Sequence, residues 1–244
     1  MMPMGAITDR QDQLLKAVIE EYIRTAEPVG SVNLVEKLGL KVSSATVRNE
    51  MARLVREGFL KQPHTSAGRV PTTIGYKRYL ENLTEEELPV LKEVAIKQRL
   101  YQERTEPDKL FRAAALSLAE HTGCMAVITA GSGRLFSAGG VNLLDHPEFY
   151  DIDVTKIIIG MADREAELNS LIEKSVVEKE VRVLLGEELG SEKLADCGFI
   201  FSPYSGQRHS GFLGVFGPVR MNFSKIFPTI KYFKNLLNEI GFGW

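Results

Sequence analysis

Two short stretches hold the side chains whose types and spacing could do chemistry, and that chemistry is recognition of a polyanion rather than bond making. The first sets Ser43, Ser44 and Thr46 ahead of Arg48, Asn49, Arg53 and Arg56; the second gathers Lys61, His64, Thr65, Ser66 and Arg69. Guanidinium, ammonium, hydroxyl and amide groups of this kind donate to phosphate oxygens and to base edges. Other chemistries lack their constellations. The four histidines, His64, His121, His146 and His209, show neither i, i+4 spacing nor an adjoining acidic ligand motif, so no metal site is expected. Ser132 lies in Ala130-Gly131-Ser132-Gly133, which is not a Gly-x-Ser-x-Gly elbow and reads as a hairpin. The run Ser205-Gly206-Gln207-Arg208-His209-Ser210-Gly211 reads as a turn between strands. No phosphate-binding lysine loop or dinucleotide glycine fingerprint is present, and neither an enzyme nor a cofactor is expected.

The elements that must position those two stretches follow from periodicity. Between 8 and 25, Leu14, Leu15, Val18, Ile19, Tyr22 and Ile23 form one stripe at helical period, with Thr8 or Asp9 as cap. Ala26-Glu27-Pro28-Val29-Gly30 breaks that helix, Ser31 caps a short second one, and Gly39 suits its end. A tight turn through Leu40, Lys41 and Val42 leads to Ser43 as cap of a third helix ending near Glu57-Gly58. On that helix Val47, Met51, Leu54 and Val55 share one face, and Ala45, Arg48, Asn49, Ala52 and Arg56 the opposite one. Two short helices with a tight turn, the second slim at its start, predict a helix-turn-helix, because the helix tip must enter a groove about 12 Å wide. Phe59-Leu60 and Val70 flank a polar loop punctuated by Pro63 and Gly68, the requirement for a β-wing. A fourth helix follows from about Thr73 to Asn82.

Composition narrows the class further. The chain has 244 residues, 44% of them apolar and 25% charged, which fits folded domains rather than a disordered or fibrous chain. Its net charge of −2 conceals an asymmetry: residues 1–80 hold 12 Lys/Arg against 8 Asp/Glu, and the rest hold 18 against 24. A basic third on an acidic remainder suits one part that meets a polyanion and another that does not. Two isolated cysteines, Cys124 and Cys197, exclude a disulfide scaffold, and no apolar run is long enough to span a membrane. A cytoplasmic location is expected.

The literal residues add a resemblance. From Glu27 to Leu80 the sequence is similar to the winged-helix DNA-binding domain of the HrcA family, the heat-inducible transcription repressors of bacteria. The run Gln62-Pro63-His64-Thr65-Ser66-Ala67-Gly68-Arg69, with Val70-Pro71-Thr72 and Gly75-Tyr76, is very specific to it. Further matches are Asn142-Leu143-Leu144-Asp145-His146-Pro147-Glu148-Phe149 and, around a Gly-Pro-x-Arg-Met signature, Gly214-Val215-Phe216-Gly217-Pro218-Val219-Arg220-Met221-Asn222-Phe223. Between Thr122 and Asn142 the chain departs from the family, lacking most of an inserted dimerisation domain. The resemblance implies an α+β chain: an N-terminal winged helix-turn-helix followed by a reduced GAF-like α/β sandwich domain. It also implies repression of heat-shock (chaperone) operons in the stress response, a homodimer on double-stranded DNA at an inverted-repeat operator, and modulation by the chaperonin. A winged-helix regulator controlled by a small molecule or protein partner through the GAF-like domain is the alternative.

The expected domains are 1–82 for DNA binding, 83–106 as a linker helix, and 107–244 for regulation and dimerisation. In the last, strands are predicted at 124–129, 134–138, 180–185, 198–204 and 211–216, and helices at 153–176, interrupted at Gly160, and 223–240. A helix starting at Pro107 carries Leu110, Phe111, Ala114, Ala115 and Leu118 on one side, suited either to a partner subunit or to the chain's own sheet. Thr46, Arg48 and Asn49 are expected nearest base edges. Arg53, Arg56, Lys61, His64, Thr65 and Arg69 are expected on backbone or minor groove, with Ser66 beside them at the wing tip.

Overall fold

Helix α1, Asp9–Thr25, begins with a reciprocal cap: the Thr8 hydroxyl accepts from the Gln11 N–H, and the Gln11 side chain accepts from the Thr8 N–H. A computed structural model describes residues 7–38, 42–131, 133–173, 179–206 and 209–241. Gly39, Leu40, Lys41 and Ser132 lie outside the described residues, as do Gln207 and Arg208 of the 205–211 turn. The chain divides into two compact units, Met1–Thr84 and Glu85–Trp244.

In the first unit, α1 is followed by α2, Ser31–Leu38, and α3, Ser44–Arg56. Two short antiparallel strands come next, β1 at Leu60–Lys61 and β2 at Val70–Pro71, and then α4, Thr73–Glu81. Ser31 is the first helical residue of α2 rather than its cap, since the Leu34 N–H already donates to the Gly30 carbonyl at 3.2 Å. The core joins Leu15, Val18 and Ile19 of α1 with Leu34, Val47, Met51, Leu54, Phe59 and Tyr76. Val55, expected among the inward residues, is half-buried at their edge. Thr72 locks α4 onto the strand by donating to the Gly58 carbonyl at 2.6 Å, and its hydroxyl also accepts from the Gly75 N–H. Arg78 then ties α4 to α1 through Asp12 at 2.8 Å.

The second unit is a five-stranded, wholly antiparallel sheet in the order β4-β3-β7-β6-β5. Its strands are β3 Met125–Thr129, β4 Leu135–Ala138, β5 Arg182–Leu185, β6 Cys197–Ser205 and β7 Ser210–Pro218. Helices α6, Pro107–Thr122, and α9, Phe223–Gly241, pack on it. Ala114, Ala115 and Leu118 are almost wholly excluded from water there, so the alanine face of α6 serves its own sheet.

A separate cluster joins Met125, Val127, Phe199, Phe201 and Phe216 to Leu143, Phe149 and the helices α7, Ile152–Ala162, and α8, Glu165–Glu173. Strand alternation sends those sheet residues to one face and Ala126, Ile128, Ile200 and Val215 to the other, so both faces are covered and the strands read as continuous apolar runs. Phe199 stacks between Phe201 and Phe216 at 4.9 and 4.2 Å. Short 3-10 turns at Gly140–Asp145, Pro147–Phe149, Gly186–Leu189 and Glu192–Leu194 complete the unit.

Two further expectations change. The break between α7 and α8 falls at Asp163 and Arg164, not at Gly160, because the Asp163 N–H closes α7 on Ile159 and the Arg164 carbonyl opens α8. The helix expected as a linker, α5 at Val90–Gln102, packs against α6 and α9 inside the second unit. Tyr232 donates to the Glu93 carbonyl at 2.8 Å, and Lys97 and Tyr101 both reach Glu239.

Candidate nucleic-acid interface

The start of α3 is built from its own hydroxyls. Ser43 Oγ accepts from the Thr46 N–H at 3.1 Å, and Thr46 Oγ1 lies 2.9 Å from it. Those two groups therefore serve the helix end, and Ser44 and Thr46 are half-buried. Beyond them Ala45, Arg48, Asn49, Arg53 and Arg56 stand exposed, while Val47, Met51 and Leu54 are buried on the opposite side. Arg53 is partly neutralised, with Nη1 3.4 Å from Glu50, a carboxylate that also accepts from Gln11 at 3.1 Å. Arg48, Arg56 and Lys61 make no ion pair among the described residues.

The loop between β1 and β2 folds back on itself. Gln62 Nε2 donates to the Thr65 carbonyl at 2.8 Å and to the Ala67 carbonyl at 3.2 Å, and the Ala67 N–H donates to His64 at 2.9 Å. Its return arm is pinned to the α1–α2 connection: Val29 and Arg69 exchange N–H to carbonyl bonds, each 2.9 Å. Glycine is required beside that bridge, because a Cβ at Gly68 would lie 2.5 Å from both the carbonyl carbon and oxygen of Val29. Lys61, His64, Thr65 and Ser66 are exposed and Arg69 is half-buried.

Three chain segments thus enclose an open cavity of about 310 Å³: Val29-Gly30-Ser31, the α3 residues Arg48 and Met51, and Gln62 with Thr65 to Arg69. Of the expected site residues, Arg48, Thr65, Ser66 and Arg69 are brought together there. Asn49, Arg53, Arg56, Lys61 and His64 are exposed but outside that lining; exposed Ser43 and half-buried Ser44 and Thr46 also lie outside it. Sequence reasoning left out Ser31, Met51, Gln62 and Glu50 as functional positions; Gln62 sat in the most distinctive motif, but only the fold shows what its amide holds. Among the described residues no group of three or more His, Cys, Asp or Glu is placed to hold a metal ion. Among the described residues no helix is long and apolar enough to cross a membrane. Cys124 and Cys197 are buried, and burial pushes both thiols up to about 12, which leaves them protonated and unreactive at neutral pH.

The fold and the site define an α+β protein whose N-terminal helical unit presents a slim, capped helix beside a pinned polar loop and a cation-lined cavity. The chain belongs to the HrcA family: the family model described as "HrcA protein C terminal domain" matches residues 76–227. Among its relatives, the heat-inducible transcription repressor HrcA of Desulforudis audaxviator is 26% identical over 336 positions, covering 96% of this chain and 98% of that protein. Those positions exceed the 244 residues here by 92, so at least that many face gaps, and this is a short member. The HrcA of Synechococcus elongatus is 42% identical over 145 residues, 59% of this chain and 41% of its own. A crystal structure described as that of a hypothetical protein superposes with a TM-score of 0.77 at 20% identity, covering 97% of this chain and 99% of that one, which supports the fold alone.

Proposed function

We propose that the chain is a DNA-binding transcription repressor of heat-shock operons, acting in the cytoplasm as a homodimer on an inverted-repeat operator. On this reading residues 1–82 are a winged helix-turn-helix, with β1, β2 and their loop as the wing. The sheet unit is a reduced GAF-like domain for regulation and pairing, and the family's chaperonin link would act through it. One observation carries the reading: the face of α3 opposite its buried Val47, Met51 and Leu54 is exposed, slim at its start and cationic along its length. Such a helix enters the major groove, Asn49 and the small Ala45 approach base edges, and Arg53, Arg56, Lys61 and His64 meet backbone or minor groove. Ser43, Ser44 and Thr46 shape the tip, whose free N–H groups face phosphate.

Two identical readers require two identical half-sites related by a two-fold axis. Gel-shift titration against an inverted repeat and a scrambled duplex, with light scattering of the complex, tests this. Preferential binding of the repeat by two subunits is expected; equal affinity for both duplexes, or one subunit per site, overturns it.

A further inference from the structure

We infer that the cavity between α3, the start of α2 and the β1–β2 loop is a seat for one backbone phosphodiester of the bound duplex, clamped by Arg69 and Arg48. The inference rests on the reading just given and reassigns Arg48, which the sequence pattern placed at base edges, to the phosphate.

Arg69 lines the cavity. Its Nη1 is committed, donating to the carbonyls of Ala67 at 3.1 Å and Gly68 at 3.4 Å. Its Nε–H is cut off from water and has no acceptor among the described residues. A buried donor left unmade costs free energy, which a small shift of the loop that opens Nε to a phosphate oxygen would recover. The edge of the guanidinium that remains, Nε with Nη2, is a fork that matches two oxygens of a phosphate. Little ordering is needed, because the bridge to Val29 holds the Arg69 backbone and Gly68 lets the two segments close.

The remaining walls agree in sign. Arg48 supplies a second guanidinium with no ion pair among the described residues, and Ser31, Thr65 and Ser66 supply hydroxyls. Among the described residues no Asp or Glu lines the cavity. Ser31 also opens α2, whose first N–H groups have no partner within the helix. Because the cavity is walled by both the helix-turn-helix segments and the loop, a phosphate seated there fixes one against the other without reading any base.

The test uses the full-length chain and three variants, Arg69→Gln, Arg48→Gln and Asn49→Ala, with fluorescence anisotropy on matched and scrambled duplexes across a salt series. Arg48 is exposed, so its variant keeps the test decisive if Arg69→Gln fails to fold. Each arginine variant is expected to lose about tenfold or more on both duplexes alike, with a salt slope smaller by about one. A neutral methylphosphonate walked along the half-site should weaken the unmodified chain at one position and leave Arg69→Gln unaffected there. Losses confined to the matched duplex, or arginine variants that bind like the parent, overturn the inference while the repressor reading stands. Failure of the parent chain itself to prefer the matched duplex sinks the repressor reading instead. A titration of inorganic phosphate followed by the Arg69 Nε–H resonance then decides the site. Saturation by free phosphate with no response to any duplex reassigns the cavity to a small anion, and no shift with either removes it as an anion site.

Discussion

The Arg220 guanidinium and the Glu148 carboxylate meet through two hydrogen bonds, Nε to Oε1 at 2.6 Å and Nη2 to Oε2 at 3.1 Å. They lie 72 positions apart, one just after β7 and the other in the 3-10 turn Pro147–Phe149, and their side chains are only 11% and 13% exposed. The two segments singled out in the sequence by resemblance, Gly217 to Met221 and Asn142 to Phe149, are therefore two sides of one clamp. Arg220→Met strands a mostly buried carboxylate and is expected to cost about 2–4 kcal/mol in denaturant unfolding. The double variant with Glu148→Leu should recover much of that loss. Additive losses in the cycle would show that the pair does not hold these segments together.

Gly68→Ala places a methyl group against the Val29 carbonyl at 2.5 Å, where both neighbours are backbone. The bridge between Val29 and Arg69 must open to admit it. A loss of about 1–3 kcal/mol in thermal unfolding is expected, together with weaker binding to matched and scrambled duplexes alike, since the whole loop is displaced. A variant with parental stability and affinity would show that the loop does not need its close approach to the α1–α2 connection.

How much of this was legible beforehand depends on the range of the interaction. The caps at Thr8 and Ser43, the buried face of α3 and all five strands of the sheet could be read from spacing, because each depends on neighbours a few residues away. The break between α7 and α8 was misplaced because Gly160 is tolerated inside a helix packed on its sheet. Helix α5 looked like a connector because Val90, Leu91 and Val94 remain exposed. Ile96 and Leu100, which bury it, give only a weak stripe. At the candidate interface the residue types were visible, but which of them meet was not. Arg48 and Arg69 come together only through the Val29–Arg69 bridge, a pairing across forty positions that no local pattern encodes.

The buried thiols set an alkaline limit on stability. Burial raises Cys124 and Cys197 to about 12 in the fold, above the ordinary thiol value of about 8.5 in the unfolded chain. A raised folded value means the contribution is complete below the unfolded value and is lost as pH climbs towards the folded one. Unfolding free energy is thus expected to fall from about pH 8.5 upward, by roughly 1 kcal/mol per thiol for each pH unit. Cys124→Ala should flatten that decline in denaturant titrations between pH 7 and pH 11. An unchanged slope would place the alkaline sensitivity elsewhere.

Ala26 closes α1 in the left-handed region, at φ 58°, and its N–H donates to the Tyr22 carbonyl at 2.9 Å. A side chain there costs about 1 kcal/mol that glycine avoids. Ala26→Gly is therefore expected to raise the unfolding midpoint modestly, the reverse of what glycine does inside a helix. A lower midpoint would mean that the methyl group's packing outweighs the backbone strain.

On the proposed reading, Asn49 and Arg56 separate base reading from backbone attraction on one helix. Both are exposed on α3, seven positions apart, and neither lines the cavity. An asparagine amide can pair with adenine in a fork, so Asn49→Ala is expected to cost about 1–3 kcal/mol on the matched repeat and almost nothing on scrambled duplex. Arg56→Gln should weaken both equally and lower the salt slope by about one, because on that reading its charge meets phosphate whatever the base. Anisotropy titrations at two salt concentrations distinguish these patterns. If Asn49→Ala loses affinity uniformly, α3 lies along the backbone and sequence is read elsewhere.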